Sequence, residues 1–515
     1  MSNELTGITG GYRTPGHYAE ILYAQGPASA AAGERHVVFV MPKTSAGTWT
    51  ANTLYGPLAN EKEARDGGGA GSMIHRGIRK FMTLNKDARV YAVPYAATSG
   101  GSPAAATSVL TIATTATGSG VLNVWVAGEL CQAAITTGDT ATVIGDAIVA
   151  SINGKTHLPC TAANSSGTVT LTAKIMGASQ GNGTVGRIRC YTTITSGIGT
   201  TASFGGAELG SGTAGADGTT TEAANFATAL AVLDNVRRYY IVTSLNDGTS
   251  LGHLKTHIVN KSQPKRGLRS VGIAAYTHTL AAGQTIATTL NYERISIGFG
   301  PVFQSTTEEI AAAIAAKRQE KEGVDLGHNF NDEKLDGIIG PYSVADWLSP
   351  GDNDVEDALT DGLSAIYTSD SGTCICQSVS TRSKDATGAL DDSRASRTVK
   401  ISVTDGYVDT WLVRAGLRYG QKKFKDDDRL ANGKVNSNQK QIKNVVRPSM
   451  LRSLHTEILD EFDANGLIQN VDASKESLSI EKSAVAGGRA EMGLQLHVID
   501  WFDQSTLLVS EVSPN

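Results

Sequence analysis

Residue types that could do chemistry are few in this chain, and each has a plainer reading beside it. Gly248-Thr249-Ser250-Leu251-Gly252 spells G-x-S-x-G, the nucleophile elbow in which a sharp strand-to-helix turn exposes a serine Oγ to a base. The elbow needs its strand to run almost directly into the serine. Here residues 244–247 intervene, Asn246-Asp247-Gly248 reads as an ordinary turn, and Ser250 is expected to cap a helix. His253 and His257 have the i, i+4 spacing that sets two imidazoles on one helical face, where they could hold a metal. Position 254 is Leu rather than the general-base Glu of H-E-x-x-H, and no third ligand is evident. A surface or core pair is the expectation.

Gly154-Lys155-Thr156 has the ending of a phosphate-binding loop, but the glycine required five residues earlier is Val149. Gly67-Gly68-Gly69-Ala70-Gly71-Ser72 could cradle an anion with backbone N–H groups. A glycine loop ending in a Ser72 N-cap is the plainer reading. Cys374 and Cys376 alternate along an expected strand and share one face, as two small buried residues or in a redox or intersubunit cross-linking role. The other cysteines, Cys131, Cys160 and Cys190, show no zinc-ligand spacing, and a reduced, cytosolic folding environment is expected. Asp426-Asp427-Asp428 follows Lys422, Lys423 and Lys425, either as a solvated mixed-charge loop or as one that meets a charged partner. No acid, base and nucleophile assemble from these pieces. The chain is expected not to be an enzyme and to use no cofactor or metal.

The elements around these residues say more. The chain has 515 residues, with 45 Lys+Arg against 50 Asp+Glu and a net charge of −5, which argues against general nucleic-acid binding. No apolar run reaches the roughly 18–20 residues of a membrane helix, and no signal peptide is visible. Residues 36–95 alternate strand and helix, with strands at 36–41 and 90–93 and a helix over 72–84. From 98 to 221 the chain is rich in Thr, Ser, Gly and Ala, with only about ten charged residues. Short strands are expected there at 108–112, 121–126, 168–173 and 190–194, with one helix over 141–152. The glycine-rich 205–218 reads as a return linker. The α/β pattern resumes with helices over 223–233 and 251–260 and strands at 239–243, 271–275 and 295–299. A helix over 306–322 opens on the Thr306/Glu309 capping box, and an amphipathic helix covers 449–465 and stops at Gly466. Strand-like runs follow at 477–482, 494–501 and 506–512.

The order of segments carries a resemblance. It begins with Arg13-Thr14-Pro15-Gly16-His17-Tyr18-Ala19-Glu20-Ile21, followed by strand, small-residue loop and helix over 36–95. Then come VLNVWVAGEL, GDTATVIGDAIVASING and GTVTLTAKIMG, and later NDVEDALTDGL, Ser380-Thr381 before Asp391-Asp392, Val408-Asp409-Thr410 and FKDDDRLANG. This order resembles contractile phage tail sheath proteins, and those of Mu-like phages in particular, over nearly the whole chain. Two positions depart: Arg382 stands where an aromatic is usual, and Ile480-Glu481-Lys482 replaces V-E-R.

The resemblance implies an α/β (α+β) sheath core domain, discontinuous in sequence over 31–97 and 222–490. It also implies an inserted, mostly-β outer domain at 98–221 and arms at 1–30 and 491–515. Such subunits form a homo-oligomer of hexameric rings in a helical polymer around a tail tube, with baseplate and tail terminator proteins as further partners. The polymer contracts to drive the tube through the host envelope. The implied location is the virion tail sheath, assembled in the host cytoplasm, with no nucleic acid bound and no membrane insertion. Terminal strands are exchanged between neighbours, which falls here on Tyr18, Glu20 and Ile21 and on Leu494, Leu496, Val498, Leu508 and Val512. Thirty extended residues reach about 100 Å, enough to cross to another subunit, and neighbours are expected to hold both ends. Lys422, Lys423, Lys425 and Arg429, or else the helix over 449–465, are expected to face the tube, because they concentrate charge in a charge-poor chain. The alternatives are a serine hydrolase using Ser250 and a capsid or surface-layer protein, which would share the low charge and β content.

Overall fold

A computed structural model describes residues 35–181, 188–263, 266–349, 352–369, 372–375, 379–382, 397–420, 422–436, 439–440, 442–482 and 490–499. Tyr18, Glu20, Ile21, Leu508, Val512, Cys376 and the Asp391-Asp392 loop lie outside the described residues. The described chain divides into two compact units, one of 35–405 with 498–499 and one of 406–497.

The larger unit is mixed α/β. It opens with β1 (Val37–Lys43), α1 (Glu61–Gly68), α2 (Met73–Leu84) and β2 (Val90–Ala96). Next come β3 (Ala105–Ala113), β4 (Gly120–Val126), β5 (Glu129–Ile135), α3 (Ala141–Gly154), β6 (Cys160–Ser165) and β7 (Thr168–Met176). β8 (Cys190–Ile194) and β9 (Thr201–Phe204) complete that run. The chain continues through α4 (Glu222–Ala231), β10 (Tyr240–Thr243), α5 (Gly248–Ser262), β11 (Val271–Tyr276) and α6 (Leu280–Leu290). After β12 (Ile295–Phe299) come α7 (Thr307–Val324), β13 (Glu333–Lys334), α8 (Asn353–Thr360), β14 (Ser364–Ser369) and β15 (Gly372–Ile375). The helix Thr398–Tyr419 starts in this unit and ends in the other.

Eight strands form the main sheet in the order β13-β15-β14-β12-β11-β10-β1-β2. The six from β14 to β2 are parallel, with Val37 level with both Tyr240 and Val90, while β15 and β13 add on antiparallel. β1, β10, β11 and β12 are apolar almost without alternation because helices cover both faces. Val37, Phe39 and Met41 pack with Ile74, Ile78 and Phe81 on one side, and Val38 and Val40 with Phe226, Leu230 and Leu254 on the other. α7 lies close against the sheet because Ala311, Ala312, Ala313, Ala315 and Ala316 are small, and the expected Thr306/Glu309 capping box is formed.

Residues 105–204 build two further antiparallel sheets, β6-β7-β3-β9 and β5-β4-β8, around their own core of Leu110, Leu122, Val124, Val169 and Leu171. Ile144, Ile148 and Ile152 of α3 close that core. The glycine-rich 205–218, expected as a linker, is instead fastened along β3. Gly210 and Gly212 donate to the Thr107 carbonyl at 2.9 and 3.0 Å, and Ala216 to that of Ala104 at 3.1 Å. Its glycines serve close backbone approach: a Cβ on Gly215 would sit 2.2 Å from the Gly177 oxygen.

The smaller unit holds β16 (Lys423–Phe424) paired with β17 (Val445–Val446), the helices Pro448–Ala464 and Val471–Ser477, and β18 (Ser479–Lys482) paired with β19 (Ala490–Gly493). Pro448–Ala464 buries Leu451, Leu454, Ile458, Leu459 and Phe462 at the expected helical spacing, and Gly466 follows with φ +68°. The strand expected at 494–501 does not form over 494–497. That segment is pinned outside any ladder: Gln495 N–H donates to Ser477 Oγ at 3.0 Å, and the His497 carbonyl accepts from Gln469 at 2.8 Å.

Candidate functional site

Ser250 is not the helix cap. α5 begins two residues earlier, and the Asp247 carboxylate accepts the Ser250 N–H at 2.9 Å. A carboxylate at this position satisfies an orphan donor and also meets the positive end of the helix dipole, which a serine hydroxyl does more weakly. Ser250 is thereby turned inward, fully buried, and its Oγ has no hydrogen-bond partner among the described residues. A serine with neither exposure nor a base in reach is no nucleophile.

The two histidines of α5 separate in the same way. His253 is exposed, whereas His257 is buried with Nδ1 3.3 Å from Asp234, and burial pulls its pKa down to about 4. Among the described residues no group of three or more His, Cys, Asp or Glu could hold a metal ion. Cys131, Cys160 and Cys190 are buried free thiols, and burial pushes Cys160 up to about 12. Cys374 stands in β15 opposite Tyr367. Ser72 caps α2 as expected, accepting from His75 N–H at 3.2 Å. The glycine loop before it presents carbonyls inward: Gly68 O accepts from Thr44 at 3.0 Å and Gly67 O from Trp49 at 2.9 Å.

The charged segment of the smaller unit is more organised than a solvated loop. Asp427 caps the helix Pro448–Ala464 from outside it, accepting from Ser449 N at 2.9 Å and Ser449 Oγ at 2.6 Å. Asp428 pairs with Lys425 at 2.7 Å and with the buried Arg447 at 2.9 Å, and Arg447 also bonds Gln439. Lys422 lies 5.6 Å from the centre of the Tyr419 ring, Lys423 is in β16, and Arg429 donates to the Gly433 carbonyl at 3.0 Å. All four basic candidates are exposed. Leu494, Leu496 and Val498 are half-buried, and Leu494 packs against the cluster of Val446, Leu451, Leu478 and Ile480.

Sequence patterns gave no hint of the strongest electrostatic feature of the larger unit. Glu322 accepts from Arg35 at 2.6 Å, Arg318 at 2.9 Å, Tyr240 Oη at 2.7 Å and Ser402 Oγ at 2.8 Å. Burial acts to raise the Glu322 pKa, but Arg318 and Arg35 together outweigh it and hold the carboxyl below its ordinary value. Asp405 gathers Arg294 at 2.7 Å, Arg269 at 3.1 Å and Tyr239 Oη at 3.1 Å. Two carboxylates thus tie together groups drawn from residue 35 to residue 405. Only Arg318–Glu322, at i, i+4, had a readable spacing. The arrangement does no chemistry; it fixes the start of the helix Thr398–Tyr419 to α7 and β10.

No family model matches the chain, and no curated protein matches it. Among solved structures the chain is similar to a sheath tail protein from Listeria innocua, at 15% identity and a TM-score of 0.47, over 92% of this chain and 96% of that one. It is similar to a sheath tail protein from Desulfitobacterium hafniense, at 14% identity and a TM-score of 0.44, over 95% and 100% of the two chains. It is also similar to a chain of the anti-feeding prophage baseplate, at 10% identity and a TM-score of 0.38, over 56% and 72%.

Proposed function

We propose that the chain is a structural subunit of a contractile phage tail sheath of the Mu-like kind. It polymerises as stacked hexameric rings around a tail tube and contracts to drive the tube through the host envelope. The observation that carries this reading is the β18–β19 hairpin. Among the described residues these two strands pair only with each other. A two-stranded sheet is marginal alone, and an open edge offers a ladder of backbone groups to an extended segment of a neighbour. The segment at 1–30 and the part of the C-terminal arm beyond residue 497 are the natural donors, and their place in the sequence matches the resemblance in segment order. The buried arginine–carboxylate set suits a larger unit that keeps its internal packing while neighbouring subunits repack around it. Residues 98–221 face outward in this reading. The basic side chains Lys422, Lys423, Lys425 and Arg429, or the helix Pro448–Ala464, face the tube. The function needs no cofactor and no catalytic group.

Negative-stain electron microscopy of the purified chain tests the reading. Long hollow cylinders are the expected result, and deletion of residues 1–20 is expected to leave a folded monomer that forms none. A chain that stays monomeric at high concentration, or a truncated chain that still forms cylinders, overturns it.

A further inference from the structure

The sheet β5-β4-β8 has one face in the core and one face open. Leu122, Val124 and Cys131 are buried, while the alternate residues stand outward in cross-strand rows. One row is aromatic: Trp125 pairs with Leu130 on one side and Tyr191 on the other. It continues into Tyr342, 54% exposed, whose ring centre lies 3.5 Å from that of Tyr191 and 6.4 Å from that of Trp125. The adjacent row is Gln132, Asn123 and Thr193. Gln132 Nε2 donates to Asn123 Oδ1 at 2.8 Å, and Asn123 Nδ2 donates to Thr193 Oγ1 at 3.3 Å. Each side-chain amide uses one of its two N–H groups in this row, which leaves further uncharged donors, and the Gln132 oxygen, for an outside partner.

We propose that this face binds a neutral polysaccharide. Pyranose rings would stack their C–H faces on the Trp125–Tyr191–Tyr342 row, and their hydroxyls would bond the Gln132–Asn123–Thr193 row. Three observations select this occupant. The two rows contain no Asp, Glu, Lys, Arg or His, so a charged ligand finds no counter-charge in them. Adjacent rows on one sheet face are two residues apart, about 6.5 Å, close to the width of one sugar ring. The exposed aliphatic surface is limited to Val121 and Leu130 on the strands, with Ile339 beside the β4–β5 turn, a small apolar centre for an interface with a second copy. The face is also preformed, because its reverse side is core, so binding orders little of the protein. The inference does not depend on the assembly reading above, since binding is measured on the unassembled chain.

The test is calorimetric titration of the full chain with neutral hexasaccharides of glucose, mannose, galactose and N-acetylglucosamine, with a sulfated hexasaccharide as the charged control. At least one neutral probe is expected to bind, the control is not, and Tyr342→Ala and Gln132→Ala are expected to weaken binding about tenfold and fivefold. Both positions are exposed, so unchanged melting temperatures separate lost contact from lost folding; Trp125→Phe, which keeps a ring, is expected to lose less than Tyr342→Ala. The proposal is overturned if none of the four neutral probes binds, if the sulfated probe binds better, or if Tyr342→Ala binds like the unaltered chain. Self-association that Tyr342→Ala abolishes would also overturn it, by assigning the face to a second copy.

Discussion

Arg318 Nε lies 2.9 Å from Glu322 Oε1 one turn along α7, and both side chains are at most 2% exposed. The pair is useful only with its surroundings. Arg35 pairs with the other oxygen, Oε2, of the same carboxylate, and Tyr240 and Ser402 donate to that oxygen as well. Removing one member of such a set leaves an uncompensated charge in the interior. Glu322→Gln is therefore expected to cost about 3–5 kcal/mol of unfolding free energy, read by chemical denaturation of the unassembled chain. A loss below about 1 kcal/mol, the range of exposed pairs, would contradict the account.

Glu222 makes stability depend on pH. Burial, with Asp217 and Asp247 adding to it, raises its pKa from 4.5 to about 8. The carboxyl is neutral in the folded chain at neutral pH but ionised when unfolded. Its contribution is fully present below pH 4.5 and is lost as pH rises through about 8. Glu222→Gln is expected to remove a slope of about 1.4 kcal/mol per pH unit between those limits, so that melting curves of the variant flatten above pH 5. Parallel curves for the two proteins would refute this.

His455 titrates in the other sense. It is buried, with Nδ1 2.7 Å from Tyr407 Oη and its ring stacked at 5.4 Å on Trp411, and burial lowers its pKa to about 4. A depressed pKa gives stability that is present above the ordinary histidine value and lost as pH falls through the folded one. His257 shifts in the same direction for the same reason. The stability that His455 contributes is therefore expected to fall as pH drops from about 6.5 to 4, and His455→Gln to remove that part of the pH dependence. Proton uptake on unfolding at pH 5, measured by calorimetry in two buffers, checks it.

Charge reversal separates the roles of the basic segment. Lys422 and Lys423 have no carboxylate partner in the described ion pairs, whereas Lys425 has Asp428. Lys422→Glu with Lys423→Glu is expected to leave the melting temperature unchanged and to weaken co-sedimentation with purified tail tubes at least tenfold. Unchanged co-sedimentation would transfer the tube contact to the helix Pro448–Ala464.

Much of the fold could be read from sequence where one signal dominated. α7 announced itself by a capping box and a run of alanines, and Pro448–Ala464 by apolar residues at helical spacing. β5 and β6 were not expected, because Ala133, Thr161, Ala162 and Ala163 carry too little apolar contrast for alternation to show. Ser250 was misplaced because four residues of the Asn246–Ser250 stretch can cap, and the stronger acceptor, Asp247, stands three residues earlier. Leu494 to Val498 has the alternation of a strand, but Ser477 and Gln469 hold 494–497 outside any ladder. The Glu322 set was illegible for a simpler reason. Its members lie up to 367 positions apart, and no local pattern marks them as neighbours.

The two chain segments that lead into and out of residues 105–204 are themselves bonded together. Ser99 donates to the Thr220 carbonyl at 3.2 Å and Thr220 to that of Ser99 at 2.9 Å. A chain cut at these two points would already have its ends in register, a peptide's length apart. This clasp is one of several ties: Ile175 of β7 packs into the core of the main sheet, and Lys174 Nζ donates to the Ala70 carbonyl at 3.3 Å. A foreign module joined at 99 and 220 would arrive with its ends already aligned, and it would have to replace the apolar cover that Ile175 gives the main core.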